Sequence, residues 1–94
     1  MEIQMKRIKN SNWVKGEIFN GQYNQFKYEA QVFDEGSMHG IEEGKVSKLE
    51  VKAFNPYSGW YNVIANYDRG WDIYPDDKYE DVVMSLVGYL EEAY

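Results

Sequence analysis

Gln25-Phe26-Lys27-Tyr28-Glu29-Ala30-Gln31-Val32 alternates without a break. Phe26, Tyr28, Ala30 and Val32 fall on one face of an extended chain, and Gln25, Lys27, Glu29 and Gln31 on the other. A period of two is the repeat of a β-strand. One apolar face and one charged face mean a sheet that is packed on one side and wet on the other, which is an antiparallel arrangement. Upstream, Trp13, Val14, Ile18 and Phe19 belong to a first strand, and Asn20-Gly21 is hairpin chemistry because both residues tolerate positive φ. Downstream, a third strand near 45–54 turns Leu49, Val51 and Ala53 inward and Lys48, Glu50 and Lys52 outward. Residues 55–59, Asn-Pro-Tyr-Ser-Gly, make a turn. A fourth strand near 60–67 is expected to place Tyr61, Val63, Ala65 and Tyr67 on one face. Residues 2–9, with Ile3 and Met5, can add an edge strand or arm.

The period changes after Pro75. Tyr79, Val82, Val83, Leu86 and Leu90 recur at helical spacing and define one apolar stripe. Asp77 with Glu80 three residues on is a variant of the capping box, and acids in a first turn suit the positive helix end. The expected fold is therefore α+β: a single domain over 1–94, an antiparallel β-meander of about four strands covered on one face by a C-terminal helix.

The chain has 94 residues, nine Tyr, four Phe and three Trp, so a small core can be built from a few large rings. It has no Cys, which excludes disulfide staples, thiolate nucleophiles and Cys-ligated zinc. Met1–Asn12 is polar and basic and lacks the apolar segment of a secretory leader. The net charge is −6 and unevenly placed. Lys6, Arg7, Lys9 and Lys15 face only Glu2 at the start, whereas Lys78 stands against Asp76, Asp77, Glu80, Asp81, Glu91 and Glu92 at the end. Without a dominant basic field, direct nucleic-acid binding is disfavoured, and a protein partner with a basic surface suits the chain better. Membrane association is not expected.

The stretch richest in chemistry is Asn66-Tyr67-Asp68-Arg69-Gly70-Trp71-Asp72. Two carboxylates flank a guanidinium, and two rings bracket the group. Arg69 could clamp a small anionic ligand in two bonds and stack on Trp71 or Tyr67. Its structural alternative is an ion pair with Asp68, Asp72 or a loop carboxylate. Residues 34–44, Asp-Glu-Gly-Ser-Met-His-Gly-Ile-Glu-Glu-Gly, hold the only histidine. Ser37, His39 and the nearby Asp34 are too crowded in sequence for a nucleophile–base line. Asp34, Glu35, Glu42 and Glu43 lack the spacing of a calcium loop, so no metal or other cofactor is expected. Gly36, Gly40 and Gly44 precede a strand, not a helix, and so do not read as a phosphate loop. The candidate binding residues are Arg69, Asp68, Trp71, Asp72, Tyr67, Ser37 and His39, with Glu91 and Glu92 on the acidic helix. No catalytic residue is assigned.

Two stretches resemble the hallmarks of a small uncharacterised domain family of bacteria and their phages. They are Asp34-Glu35-Gly36-Ser37 through Gly40-Ile41 to Gly44-Lys45-Val46-Ser47-Lys48-Leu49, and the Asn66–Asp72 segment. With Trp13 and Gly16 the resemblance covers most of residues 12–90. It brings no assigned activity. It implies a phage or prophage setting, the cytoplasm of a bacterial host, and a non-enzymatic accessory protein that inhibits a host protein or defence system, of the anti-CRISPR-like kind. The alternative is a binder that sequesters a small molecule or nucleotide signal through Arg69 and the neighbouring aromatics; a small hydrolase is least favoured.

Overall fold

The computed structural model describes residues 1–21 and 24–94. Its elements are β1 (Glu2–Ile3), β2 (Lys6–Arg7), β3 (Trp13–Phe19), β4 (Gln25–Val32), β5 (Val46–Asn55), β6 (Trp60–Asp68), β7 (Trp71–Ile73) and α1 (Asp77–Ala93). All strands form one antiparallel sheet in the order β1-β3-β4-β5-β6-β7, with β2 also on β3. The α+β meander with a helix packed on it is as expected, but the strand count is seven among the described residues instead of four. The extra strands are two- and three-residue pieces at the sheet edges, too short to carry an alternation that can be read. None of the helices among the described residues is long and apolar enough to cross a membrane.

The inner face carries Val14, Ile18, Phe26, Tyr28, Ala30, Leu49 and Val51, all buried. α1 lays Val82, Val83, Leu86 and Leu90 on it, with Val87 added. Near the helix start, Tyr79 meets Phe26 edge to face with ring centroids 5.8 Å apart. The N-cap is Asp76 and not Asp77; its carbonyl accepts from Tyr79 and Glu80 N–H (2.8 and 3.0 Å), and its side chain makes no capping bond. The expected capping box is absent because the N-cap falls at Asp76, which puts Tyr79 and not Glu80 three residues on.

Gly16 sits on the inner face opposite Tyr28. A Cβ there would overlap the Gln4 carbonyl, which accepts the Tyr28 hydroxyl at 2.8 Å. The N-terminal edge therefore closes on β3 only because residue 16 has no side chain, and the Tyr28 ring covers the gap. Burial, then the neighbouring Tyr89, pushes the Tyr28 phenol up to about 12.

Two local irregularities revise the strand reading. The β3–β4 hairpin closes at Phe19↔Gln25 with Asn20 N–H bonded to the Asn24 carbonyl, so Asn20-Gly21 lie in a longer connection than a two-residue turn. In β6, Val51 pairs with Ala65 but Lys52 pairs with Val63, which leaves Ile64 as a bulge. The extra residue reverses the pleat. Ala65 and Tyr67 are inward as expected. Tyr61 and Val63 instead join Phe54 and Lys52 on the outer face, with the Phe54 and Tyr61 rings 5.2 Å apart.

Candidate functional site

The Asn66–Asp72 segment is a hairpin. Tyr67 pairs with Trp71, and Asp68, Arg69 and Gly70 connect them. Arg69 stands at the apex with φ 61°, a left-handed backbone uncommon for any residue but glycine, and its N–H donates to the Ser47 carbonyl at 3.1 Å. That backbone bond fixes the apex to the start of β5. The guanidinium itself is exposed; among the described residues it forms no ion pair and lies over no ring. Asp68 pairs with Lys48 across the strands at 3.9 Å, and Asp72 is exposed.

The two rings of the segment pack against the core. Tyr67 is buried and donates its hydroxyl to the His39 carbonyl at 2.8 Å. Trp71 lies between Tyr67 and Tyr74, with centroids 5.1 and 5.0 Å away and both contacts edge to face. The Tyr74 phenol is raised above its ordinary value by lost hydration, then by the Glu80 charge and hydrogen bond and by Glu42. These aromatics therefore tie the loop 34–44 and the helix start to the sheet. Since Arg69's charge is unengaged, Arg69→Lys should leave the melting temperature unchanged, and Arg69→Gly should raise stability by about 0.5–1 kcal/mol by relieving the left-handed strain. A thermal melt in which Arg69→Lys unfolds clearly earlier would show that the guanidinium has a structural partner.

Loop 34–44 closes one end of the core. Ile41 is buried, and Glu42 and Glu43 take positive φ (53° and 60°) in a 3-10 turn over Ile41–Glu43. Ser37 Oγ accepts the His39 N–H at 3.2 Å, a local turn bond that leaves the exposed imidazole outward. Glu91 is not part of a free acidic face. Its Oε2 accepts the Lys45 N–H at 2.7 Å and the Val46 N–H at 3.2 Å, and Lys45 Nζ donates to the Glu91 carbonyl at 3.2 Å. Glu92, one residue on, is exposed.

The structure brings together surface groups that the sequence reading left apart. On the outer face Lys15, Glu29, Glu50 and Asn66 form one cross-strand row, and Glu17, Lys27, Lys52 and Val63 the next. Like-charged neighbours in these rows are relieved by Lys52–Glu50 at 3.6 Å and by Lys27 Nζ, 4.5 Å above the Tyr61 ring. Lys15, Glu17, Lys27, Glu29, Glu50 and Lys52 line a shallow groove of about 360 Å³. At the β5–β6 tip, Tyr57 is 99% exposed and Trp60 73% exposed. The tip is held in shape: Asn55 Oδ1 accepts from Tyr57 and Ser58 N–H, Ser58 Oγ accepts from Trp60 N–H, and Gly59 takes φ 76°. Val63, Ile73 and Tyr74 are also exposed and follow the same β6–β7 side of the sheet. The sequence signal was two large rings inside turn chemistry, which a turn alone does not require.

A family model described as Domain of unknown function (DUF7678) matches residues 12–91. The chain belongs to the DUF7678 family. The match agrees in extent with the resemblance to a small uncharacterised domain family, and it takes in the meander from β3 to β7 and nearly all of α1. In this DUF7678 protein β1 and β2 precede the matched region. No curated protein and no solved structure matches the chain.

Proposed function

We propose that this DUF7678 protein acts by binding another protein, and that the β6–β7 side of the sheet makes the contact. The observation that carries the reading is the collection of Tyr57, Trp60, Val63, Ile73 and Tyr74 along one side, with the first two projected from a tip whose turn is fixed by its own hydrogen bonds. Packing gives no reason to hold two large rings out on a fixed turn, and Tyr and Trp are among the residues most often dominant in interaction sites. In the phage setting that the resemblance implies, the partner is a host protein, and the domain is a small acidic inhibitor of host machinery or defence. Sequestration of a small anion or nucleotide signal by Arg69 would require the guanidinium and the rings to face one space. Tyr67 and Trp71 are instead committed to the inner side.

The test begins with a partner captured from bacterial host lysate and then purified. Replacing both Tyr57 and Trp60 by Ala should weaken its binding by at least about thirtyfold, the equivalent of a 2 kcal/mol hot spot. The melting temperature should hold, because neither ring is packed in the core. Affinity unchanged by the double substitution would defeat the proposal.

A further inference from the structure

The two edges of the sheet are protected unequally. On the β3 side, the edge is split into two-residue strands on either side of Gln4-Met5, and β2 carries Lys6 and Arg7. Short pieces and cationic side chains are the usual means of blocking a further strand. On the opposite side, β7 pairs only with Asn66 and Tyr67. Among the described residues no strand lies beyond Trp60-Tyr61-Asn62-Val63-Ile64-Ala65. That stretch has no charge, no proline and no glycine. Alternate backbone N–H and C=O groups of such an edge face outward with no strand partner.

What surrounds this edge is acidic on balance, four carboxylates against the single cation of Lys78. Asp72 lies on β7, and Asp76, Asp77 and Asp81 lie on the connection and first turns of α1, all exposed. Lys78 and Tyr79 line the same cavity as Asn62 and Ile64, which places the helix start beside the open strand. An apolar strip with an acidic rim is complementary to an extended segment that carries cations. A second copy of this chain would set rim against rim, each with a net charge of −6.

We infer that Trp60–Ala65 receives an extended, lysine- or arginine-bearing segment of a partner protein as an added antiparallel or parallel strand. The inference rests on the binding reading above and names the kind of partner segment it takes. Backbone pairing supplies affinity, and the rim and the Tyr57–Trp60 tip supply selection. The bulge at Ile64 bends the run between Val63 and Ala65, and β7 occupies the edge from Asn66 on, so the added strand is short.

The probe is an eight-residue peptide of alternating Lys and Val, titrated into the isotopically labelled full chain, with an alternating Glu and Val peptide as the charge control. Amide shifts and slowed hydrogen exchange should centre on Tyr61–Ala65 with the Lys peptide only. Asp72→Lys combined with Asp81→Lys should weaken it about tenfold at low salt, since exposed charges are screened at high salt. Backbone N-methylation of the peptide should abolish the effect. Shifts elsewhere, equal binding of the Glu peptide, or no change at these amides would overturn strand addition. Protection of Tyr61–Ala65 without peptide, together with a dimer in sedimentation, would overturn it in favour of self-pairing. Loss of partner capture in the Tyr57 and Trp60 variant alongside silent Tyr61–Ala65 amides would leave the binding reading standing and remove only this inference. Capture that ignores the tip would remove the reading beneath it.

Discussion

Leu86→Ala should lower the unfolding free energy by about 2–5 kcal/mol, seen as a shifted urea midpoint with an unchanged slope. Leu86 is fully buried at the middle of the α1 stripe, between Val82–Val83 and Leu90, and faces a sheet whose inner side is also fully buried. Surrounding side chains on a hydrogen-bonded sheet cannot collapse freely into the void, so the cost includes a cavity as well as lost transfer energy. A domain of this size has roughly 5–14 kcal/mol in total. The variant should therefore stand close to unfolding at physiological temperature. A measured loss under about 1 kcal/mol would mean that α1 is not seated on the sheet by this stripe.

Glu91→Ala should cost about 1.5–3 kcal/mol, the range for hydrogen bonds to a charged group. The carboxylate sits in the last turn of α1, where the helix dipole disfavours a negative charge. It is retained there by the part-buried Lys45 and Val46 N–H groups, both of which donate to it. Gly44 belongs to the same arrangement, since a Cβ at that position would overlap the Glu91 carboxylate. Glu91→Gln, which keeps one acceptor oxygen, should recover part of the loss. Glu92→Lys should be neutral or slightly stabilising, because that side chain is exposed and its charge would then suit the helix end. Equal melting temperatures for Glu91→Ala and Glu92→Lys would show that the bonds to Lys45 and Val46 contribute nothing.

This pair of adjacent glutamates shows where sequence reading stops. The four long strands and the helix are legible because alternation and helical spacing each persist over many residues, from Gln25–Val32 in one case and Tyr79–Leu90 in the other. The reading also places the period change at the correct proline. A single inserted residue defeats it: Ile64 looks like an ordinary member of its strand, yet it reverses the faces of Tyr61 and Val63. Glu91 and Glu92 are chemically identical, and only the position of Lys45, 46 residues earlier, decides that the first is a clamp and the second a surface charge. Arg69 drew attention as a charged group among rings, but the rings turn inward and the backbone at Arg69 makes the bond to Ser47. The Tyr57–Trp60 tip was read as a turn, and its exposure depends on what fails to pack against it, which no local pattern encodes.

The helix that covers the sheet is synthesised after every strand it covers. While residues 77–93 are still being made or held in the exit tunnel, β3 to β6 can pair locally, but Phe26, Leu49 and Val51 have no cover. At roughly 5–20 residues per second this lasts for seconds, during which the nascent meander presents both a greasy face and an open strand edge to its surroundings. A stall or premature stop shortly after Tyr74 would release that species permanently. Protein quality control would then meet an aggregation-prone sheet, whereas a truncation after Glu91 would release a chain already latched shut.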